Sequence, residues 1–294
     1  MGKALIIILF STSFIGRISA QYFETGVTLG AASYFGDLQS GEIESSEYNP
    51  ALGAFVRYNL SKHFALSGHL LQTRVSGDDD NSTLLVDQRR NLSFRSDVYE
   101  VGVVGELNLV PFNIPAGKKA SPYIFAGISG FYFNPQAQYR GEWIDLQPIG
   151  TEGQGRASYG KKYSLVNGAI PFGAGFKFAV SDRVNVGLRF GLRYTFTDYL
   201  DDVSGVYPDI SQLLAEDPLA AALSFREGEK LENVDLNPIG TPRGNAANND
   251  WYFIGGITIS FNLTDKYGLD FDQKYDAFKE GFEPEEKTEE PDIF

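Results

Sequence analysis

The chain has no cysteine among its 294 residues. That excludes a disulfide framework, thiol chemistry and a lipid anchor built on an N-terminal cysteine. Histidine occurs only as His63 and His69, so histidine-dependent catalysis and imidazole metal sites have little to work with. No apolar run approaches the roughly 20 residues that a membrane-crossing helix needs. The charge balance is acidic, −13 at pH 7, and lacks the clustered Lys and Arg that phosphate contacts demand, which argues against nucleic acid. What abounds is glycine (32), phenylalanine (23) and tyrosine (16), against one methionine and two tryptophans. Such a chain must hold itself by burial and hydrogen bonding, and the composition suits a barrel better than a helical protein.

Lys3, the apolar run from Ala4 to Phe10 and the small residue Ala20 read as a secretory signal peptide over residues 1–20, with a mature chain from Gln21. Beyond it, eight segments alternate with period two, the strand signal. In the first, 22–36, Val27 and Leu29 share a face opposite Glu24, Gly26 and Thr28. The second (50–60) and third (63–75) set Leu52, Val56, Leu66 and Leu70 on one face, with Arg57 opposite. The fourth (97–109) sets Val101 and Val103 against Glu100 and Glu106. The fifth (122–133) is apolar on both faces and its register stays open. The sixth (165–180) places Lys177 opposite Phe176 and Phe178. The seventh places Arg189 and Arg193 opposite Leu188 and Phe190, and the eighth places Thr258 and Ser260 opposite Ile257 and Ile259.

A soluble barrel would alternate too, but with its apolar face inward. Here the second face mixes glycine with Arg, Glu, Lys and Asn, which suits a narrow lumen filled by a polar network. Aromatics gather near strand ends (Phe23, Tyr58, Phe64, Tyr194, Trp251, Phe261), as interfacial girdles require. Two strand pairs join through the short turns Ser61-Lys62 and Ser181-Asp182, and a longer link at 110–121 falls on the same rim. The connections 37–49, 76–96, 134–164 and 197–250 are long and share the other rim. The expected fold is all-β: an eight-stranded antiparallel transmembrane β-barrel over residues 21–263, with long extracellular loops and short periplasmic turns. It would sit in the lipid of a bacterial outer membrane with both termini periplasmic. Eight strands leave an interior just wide enough for side chains, so the barrel is plugged.

In the longest loop, Asp209 and Asp217-Pro218 read as helix N-caps, followed by Ile210, Leu213 and Leu214, then by Leu219, Ala222 and Leu223. Covering the barrel mouth is the favoured role for these helices. The segment 264–294 differs in kind, with 11 acidic and 4 basic side chains. Within it Tyr267, Phe271, Tyr275, Phe278 and Phe282 recur at spacings of one helix face, an apolar stripe suited to a partner or to the barrel's own periplasmic rim. Its remainder reads as a disordered acidic end.

For chemistry, the lumen-facing set is Arg57, Glu100, Glu106, Lys177, Arg189 and Arg193. A gate or proton path is one reading. An ion-pair plug is favoured, because buried charges must be paired. Ser67 and His69 share a strand face, as in barrels that modify lipid A, but no third group orients the base. The run Asp78-Asp79-Asp80-Asn81 lacks calcium-loop spacing and reads as a solvated loop tip. The chain is expected not to be an enzyme, and to use no cofactor, metal or small-molecule substrate.

The opening strand, Gly26-Val27-Thr28-Leu29-Gly30 through Tyr34-Phe35-Gly36-Asp37-Leu38, resembles that of the PorG-like outer-membrane barrels of Bacteroidetes. The closing Asn249-Asp250-Trp251-Tyr252 and Gly256 to Leu263 are similar to that family's last strand. The resemblance implies an accessory or anchoring component of the type IX secretion (gliding and secretion) machinery, contacting a periplasmic lipoprotein ring, and brings no catalytic residues. The other reading is an independent surface barrel, structural or adhesive, acting through its outer loops.

Overall fold

The computed structural model describes residues 23–39, 47–231 and 238–263. The expected signal peptide and the acidic, aromatic-striped segment 264–294 lie outside them. Nine strands form: β1 (Phe23–Phe35), β2 (Asn49–Asn59), β3 (Phe64–Asp78), β4 (Ser93–Asn108), β5 (Ala120–Tyr139), β6 (Glu142–Asp145), β7 (Val166–Ala179), β8 (Val184–Thr195) and β9 (Trp251–Asn262). Eight of them close a ring in the order β1-β2-β3-β4-β5-β7-β8-β9, with β9 paired back onto β1 from Glu24↔Asn262 to Phe35↔Trp251. Every pairing is antiparallel. The fold is a closed eight-stranded antiparallel barrel. No described helix is long and apolar enough to cross a membrane.

The alternation resolves into an apolar outside and a mixed inside. Leu29, Leu52, Leu70, Val101, Ile128, Leu188 and Ile257 are all exposed, Leu70 by 62% and Ile128 by 73%. Glu24, Arg57, Ser67, Glu106, Lys177, Asn185 and Ser260 are buried. An apolar band this extensive would not persist in water. It matches the outer wall of a barrel in lipid, where closure leaves no backbone edge unsatisfied.

The structure fixes the fifth strand and lengthens it. β5 turns Ile124, Ile128 and Tyr132 outward and buries Tyr123, Phe125, Phe131 and Phe133 inside, so both faces are apolar for different reasons. Twenty residues far exceed the 9–11 or so that a tilted membrane strand needs. β5 therefore projects beyond the ring and turns back as β6, with Tyr139↔Glu142 closing a two-residue loop. Arg140 (φ 52°) and Gly141 (φ 87°) supply the paired positive φ of a type I′ turn. This hairpin falls in a connection expected to be all loop. β3 and β4 likewise extend to Asp78 and Ser93.

The two rims close differently. At the short-turn rim the link 109–119 folds over the base: Phe112 and Ile114 are buried with Ala179, and the Phe112 amide donates to the Lys62 carbonyl at 3.0 Å. At the long-loop rim lie helices α1 (Leu85–Arg90), α2 (Leu146–Ile149), α3 (Ile210–Glu216) and α4 (Pro218–Ser224). Asp209 caps α3 through the Gln212 amide, and Asp217 caps α4 through the Leu219 and Ala220 amides with Pro218 leading. Ile210, Leu213, Ala220 and Ala221 pack with Tyr207, while Leu223 packs with Ala137 and Leu146 at the β5–β6 hairpin. Leu214 stays exposed.

Leu188 lies within β8 on the outer face, with Phe176 and Ile257 as its cross-strand neighbours. Leu188→Arg is expected to cost about 2–4 kcal/mol in folding into liposomes, as charges near the bilayer midplane do. Leu188→Ala should cost less. Urea titration of the reconstituted variants measures both, and equal costs would contradict the inside–outside assignment.

Candidate functional site

The half of the lumen nearer the short turns is an ion-pair lattice. Arg57 on β2 faces Glu24 on the neighbouring β1, and its Nη1 meets Glu24 Oε1 at 2.5 Å. Its Nε reaches Glu106 Oε2 on β4 at 2.8 Å. Arg189, from the facing wall on β8, donates to Glu106 Oε1 at 3.1 Å. One level higher, Arg193 on β8 meets Glu100 on β4 at 3.3 Å, and His69 Nε2 meets the other Glu100 oxygen at 2.5 Å. Ser260 donates to Glu24 and Tyr252 donates to Glu100. Arg189 and Arg193 thus tie β8 to β4 across the interior.

Of the six lumen charges singled out from sequence, five join this lattice. Lys177 does not. Its Nζ is buried without a hydrogen-bond partner and lies over the rings of Phe112, at 4.9 Å, and Tyr123, at 5.6 Å. The alternation put Lys177 on the right face but could not say that the base of the lumen there is aromatic. Glu24, His69, Tyr252 and Ser260 were missed as members. All four fall on inward positions, so the signal existed in the alternation itself.

Glycines make the room. A side chain at Gly191 would stand 2.7 Å from the Phe125 ring, and that ring in turn carries the Arg189 guanidinium at 4.0 Å. The cavity between Thr28, His69, Arg189 and Arg193 is about 20 Å³, enough for roughly one water. At this level the lumen is filled by its own side chains.

Glu100 supplies the orienting carboxylate that the Ser67–His69 pair seemed to lack. The pair still makes no nucleophile: the Ser67 hydroxyl and His69 Nδ1 are both buried without hydrogen-bond partners. The acidic run at 78–81 is solvated only in part: Asp80 and Asn81 are exposed, while Asp79 is buried. Asp78 caps a 3-10 turn, Asp79 is buried against Arg90 at 2.6 Å, Asp80 pairs with Lys230, and Asn81 donates to Glu47 at 2.9 Å. Among the described residues no three His, Asp or Glu side chains are placed to hold a metal ion.

Above the ion lattice the interior changes character. Val75, Phe94, Val98, Phe131, Phe133, Tyr252 and Ile254 form one apolar cluster with the loop residues Leu38, Leu92, Leu200 and Val203. Over it lies a layer of carboxylates. The Tyr34 hydroxyl contacts Asp201 at 2.6 Å and Asp250 at 3.1 Å. Asp202 accepts from Tyr163 at 2.6 Å and from Thr151. Glu152 accepts from Arg243 at 3.1 Å and from the Ser204 and Gly205 amides. Burial pushes Asp198 up to about 7 and Asp202 up to about 6. Burial also lifts Asp201 and Asp250 well above the carboxylate range, with the Asp201 charge adding to the shift at Asp250. Sequence reasoning missed this layer, because its members come from strand β1 and from two loops far apart in the chain.

Residues 3–215 match the family described as "Domain of unknown function (DUF6089)". The chain belongs to that family. No curated protein sequence matches this DUF6089 member. Among solved structures it is similar to Neisserial surface protein A (TM-score 0.41, 10% identity, 82% of this chain and 96% of that one). It is also similar to Ail, the attachment invasion locus protein of Yersinia pestis (0.36, 9%, 82% and 98%). A third is the outer membrane protein OprG from Pseudomonas aeruginosa (0.34, 11%, 82% and 95%).

Two predictions follow from the geometry. Glu106→Gln strips both Arg57 and Arg189 of their shared carboxylate and should cost about 3–5 kcal/mol, the usual penalty for breaking a buried pair. Lys177→Met removes an unpaired buried ammonium and should be neutral or stabilising; denaturant titration in detergent or liposomes compares the two. The second concerns pH. Carboxyls whose folded values are raised bind protons more tightly in the folded layer, so their contribution is full below about 4 and is lost as pH rises through about 7. Protease resistance of the long loops should therefore fall between about pH 5 and pH 8, and Asp198→Asn with Asp201→Asn should flatten that dependence.

Proposed function

We propose that this DUF6089 member is a non-enzymatic barrel of a bacterial outer membrane, serving as an anchoring component of the type IX secretion (gliding and secretion) machinery. In this reading the short-turn rim faces the periplasm and the long loops face outward. The observation that carries it is that the barrel is complete by Leu263, whose amide donates to Phe23 at 3.0 Å as the last rung of closure. Residues 264–294, which follow that last rung, hold the aromatic stripe Tyr267, Phe271, Tyr275, Phe278 and Phe282. A sealed lumen favours a tether over a conduit, and the resemblance of the first and last strands to PorG-like barrels supports a periplasmic lipoprotein ring as the partner.

A second reading, an independent surface barrel with a structural or adhesive role, is favoured by one feature of the long-loop rim. On and beside α1, Leu84, Leu85 and Val86 are exposed, Leu85 by 70% and Val86 by 69%. Solvated apolar residues in a row are an interaction surface.

Deletion of 265–294 separates the readings. The anchor reading expects a folded, heat-modifiable barrel that no longer co-purifies periplasmic proteins and no longer supports secretion. Phe271→Ala with Phe278→Ala should reproduce the loss. Unchanged complexes and unchanged secretion would remove the anchor reading and leave the surface barrel.

A further inference from the structure

The short-turn rim of the barrel is net positive. Its three turns, 60–63, 109–119 and 180–183, hold Lys62, Lys118, Lys119 and Arg183 against the single anion Asp182. Lys118, Lys119 and Arg183 are exposed. Backbone hydrogen bonds hold this set in place. The Lys62 carbonyl accepts from Phe112 at 3.0 Å, the Lys119 carbonyl from Ala179 at 2.7 Å, and the Arg183 carbonyl from Asn262 at 2.9 Å. Each basic turn is thereby fixed to a neighbouring strand or link, so the cations occupy a rigid rim.

The last of these bonds also locates the exit of the chain. Asn262 is bonded to Arg183 through its backbone amide and to the Asp182 carbonyl through its side chain, at 3.0 Å. Leu263 therefore ends the described ring beside the cationic rim, and the segment 264–294 that follows it in sequence carries 11 acidic and 4 basic side chains. A tethered segment of opposite charge meets its site at roughly millimolar effective concentration.

We propose that the short-turn rim is a basic docking surface for this chain's own acidic segment 264–294, which it holds against the barrel base until a partner displaces it. The inference rests on the barrel and its charges, and does not depend on the identity of any secretion partner. Each cation contributes little alone at an exposed site. Several on one rigid rim act together, because the segment's carboxylates outnumber its own cations. The latch should weaken steeply with salt. A partner that captures the aromatic stripe would then compete with an intramolecular contact, which gives the anchor a resting state.

The test uses the full mature chain in zwitterionic phosphatidylcholine nanodiscs, without any partner, so that its failure is distinguishable from failure of the anchor reading. Zero-length carbodiimide crosslinking followed by peptide mapping should join Lys118 and Lys119 to tail carboxylates such as Glu285 and Glu286. Raising the salt from about 0.01 to about 1 M, which shortens the screening length from roughly 30 to roughly 3 Å, should abolish the crosslinks. At low salt, Lys62→Glu with Arg183→Glu keeps Lys118 and Lys119 as reporters and should lower the crosslink yield. Adding Glu285→Lys with Glu289→Lys should restore no contact to the lysines but should recover association with the reversed turns, read by carbodiimide joining of residues 62 and 183 to positions 285 and 289. Background yield in the parent at low salt, or a yield indifferent to salt and to charge reversal, would overturn the latch and leave the rim cations to lipid headgroups. Heat-modifiability confirms that each variant keeps its barrel.

Discussion

The closure of β1 onto β9 is the constraint on which the rest depends. With eight strands in the ring, the interior is only as wide as a pair of side chains, so whatever points inward must pair, stack or be cut back to glycine. The ring pairs the backbone groups of neighbouring strands with one another, which is what permits an outer face of Leu, Val, Ile and Phe. Outside apolar, inside crowded: the two halves of the alternation are consequences of one closed sheet.

Within that limit the lumen is layered. Phe112 and Ile114 seal the base. Above them Arg57, Glu24, Glu106 and Arg189 bridge neighbouring and facing walls, and then Glu100 gathers His69, Arg193 and Tyr252. An apolar cluster roofed by loop residues follows, and a carboxylate layer closes the mouth. The ion lattice is weak evidence for net stability, because desolvation offsets much of the Coulomb gain. Its clearer effect is to fix register, since a one-residue slip would turn every one of these charges into lipid.

How much of this the sequence reveals depends on whether a residue's role is local. Leu188, Val101 and Glu106 declare their faces by alternation alone, and Asp209 and Asp217 declare helix starts by cap chemistry. β5 hides its register because Phe125 and Tyr123 fill the space left by glycines on other strands, Gly191 and Gly175 among them, and no local pattern shows that exchange. The β5–β6 hairpin hides because its turn is Arg140-Gly141, without the Asn or Asp that usually marks paired positive φ. Lys177 looks like another lattice member until the aromatic base beneath it is known. Asp198, Asp201, Asp202 and Asp250 become a unit only when Tyr34 and the loops converge, which is a tertiary fact.

The functional consequence is a barrel built to stay shut. Arg189 and Arg193 span the lumen, the base is closed by the chain's own link, and the mouth is roofed by packed loops. Under the proposed reading, such an object fixes a position in a membrane and presents its rims. The most direct test of that account is single-channel conductance of the purified protein in planar bilayers. A sealed lumen predicts a silent membrane at neutral pH, whether or not residues 264–294 are present. Resolved, stepwise openings through the intact barrel would contradict it.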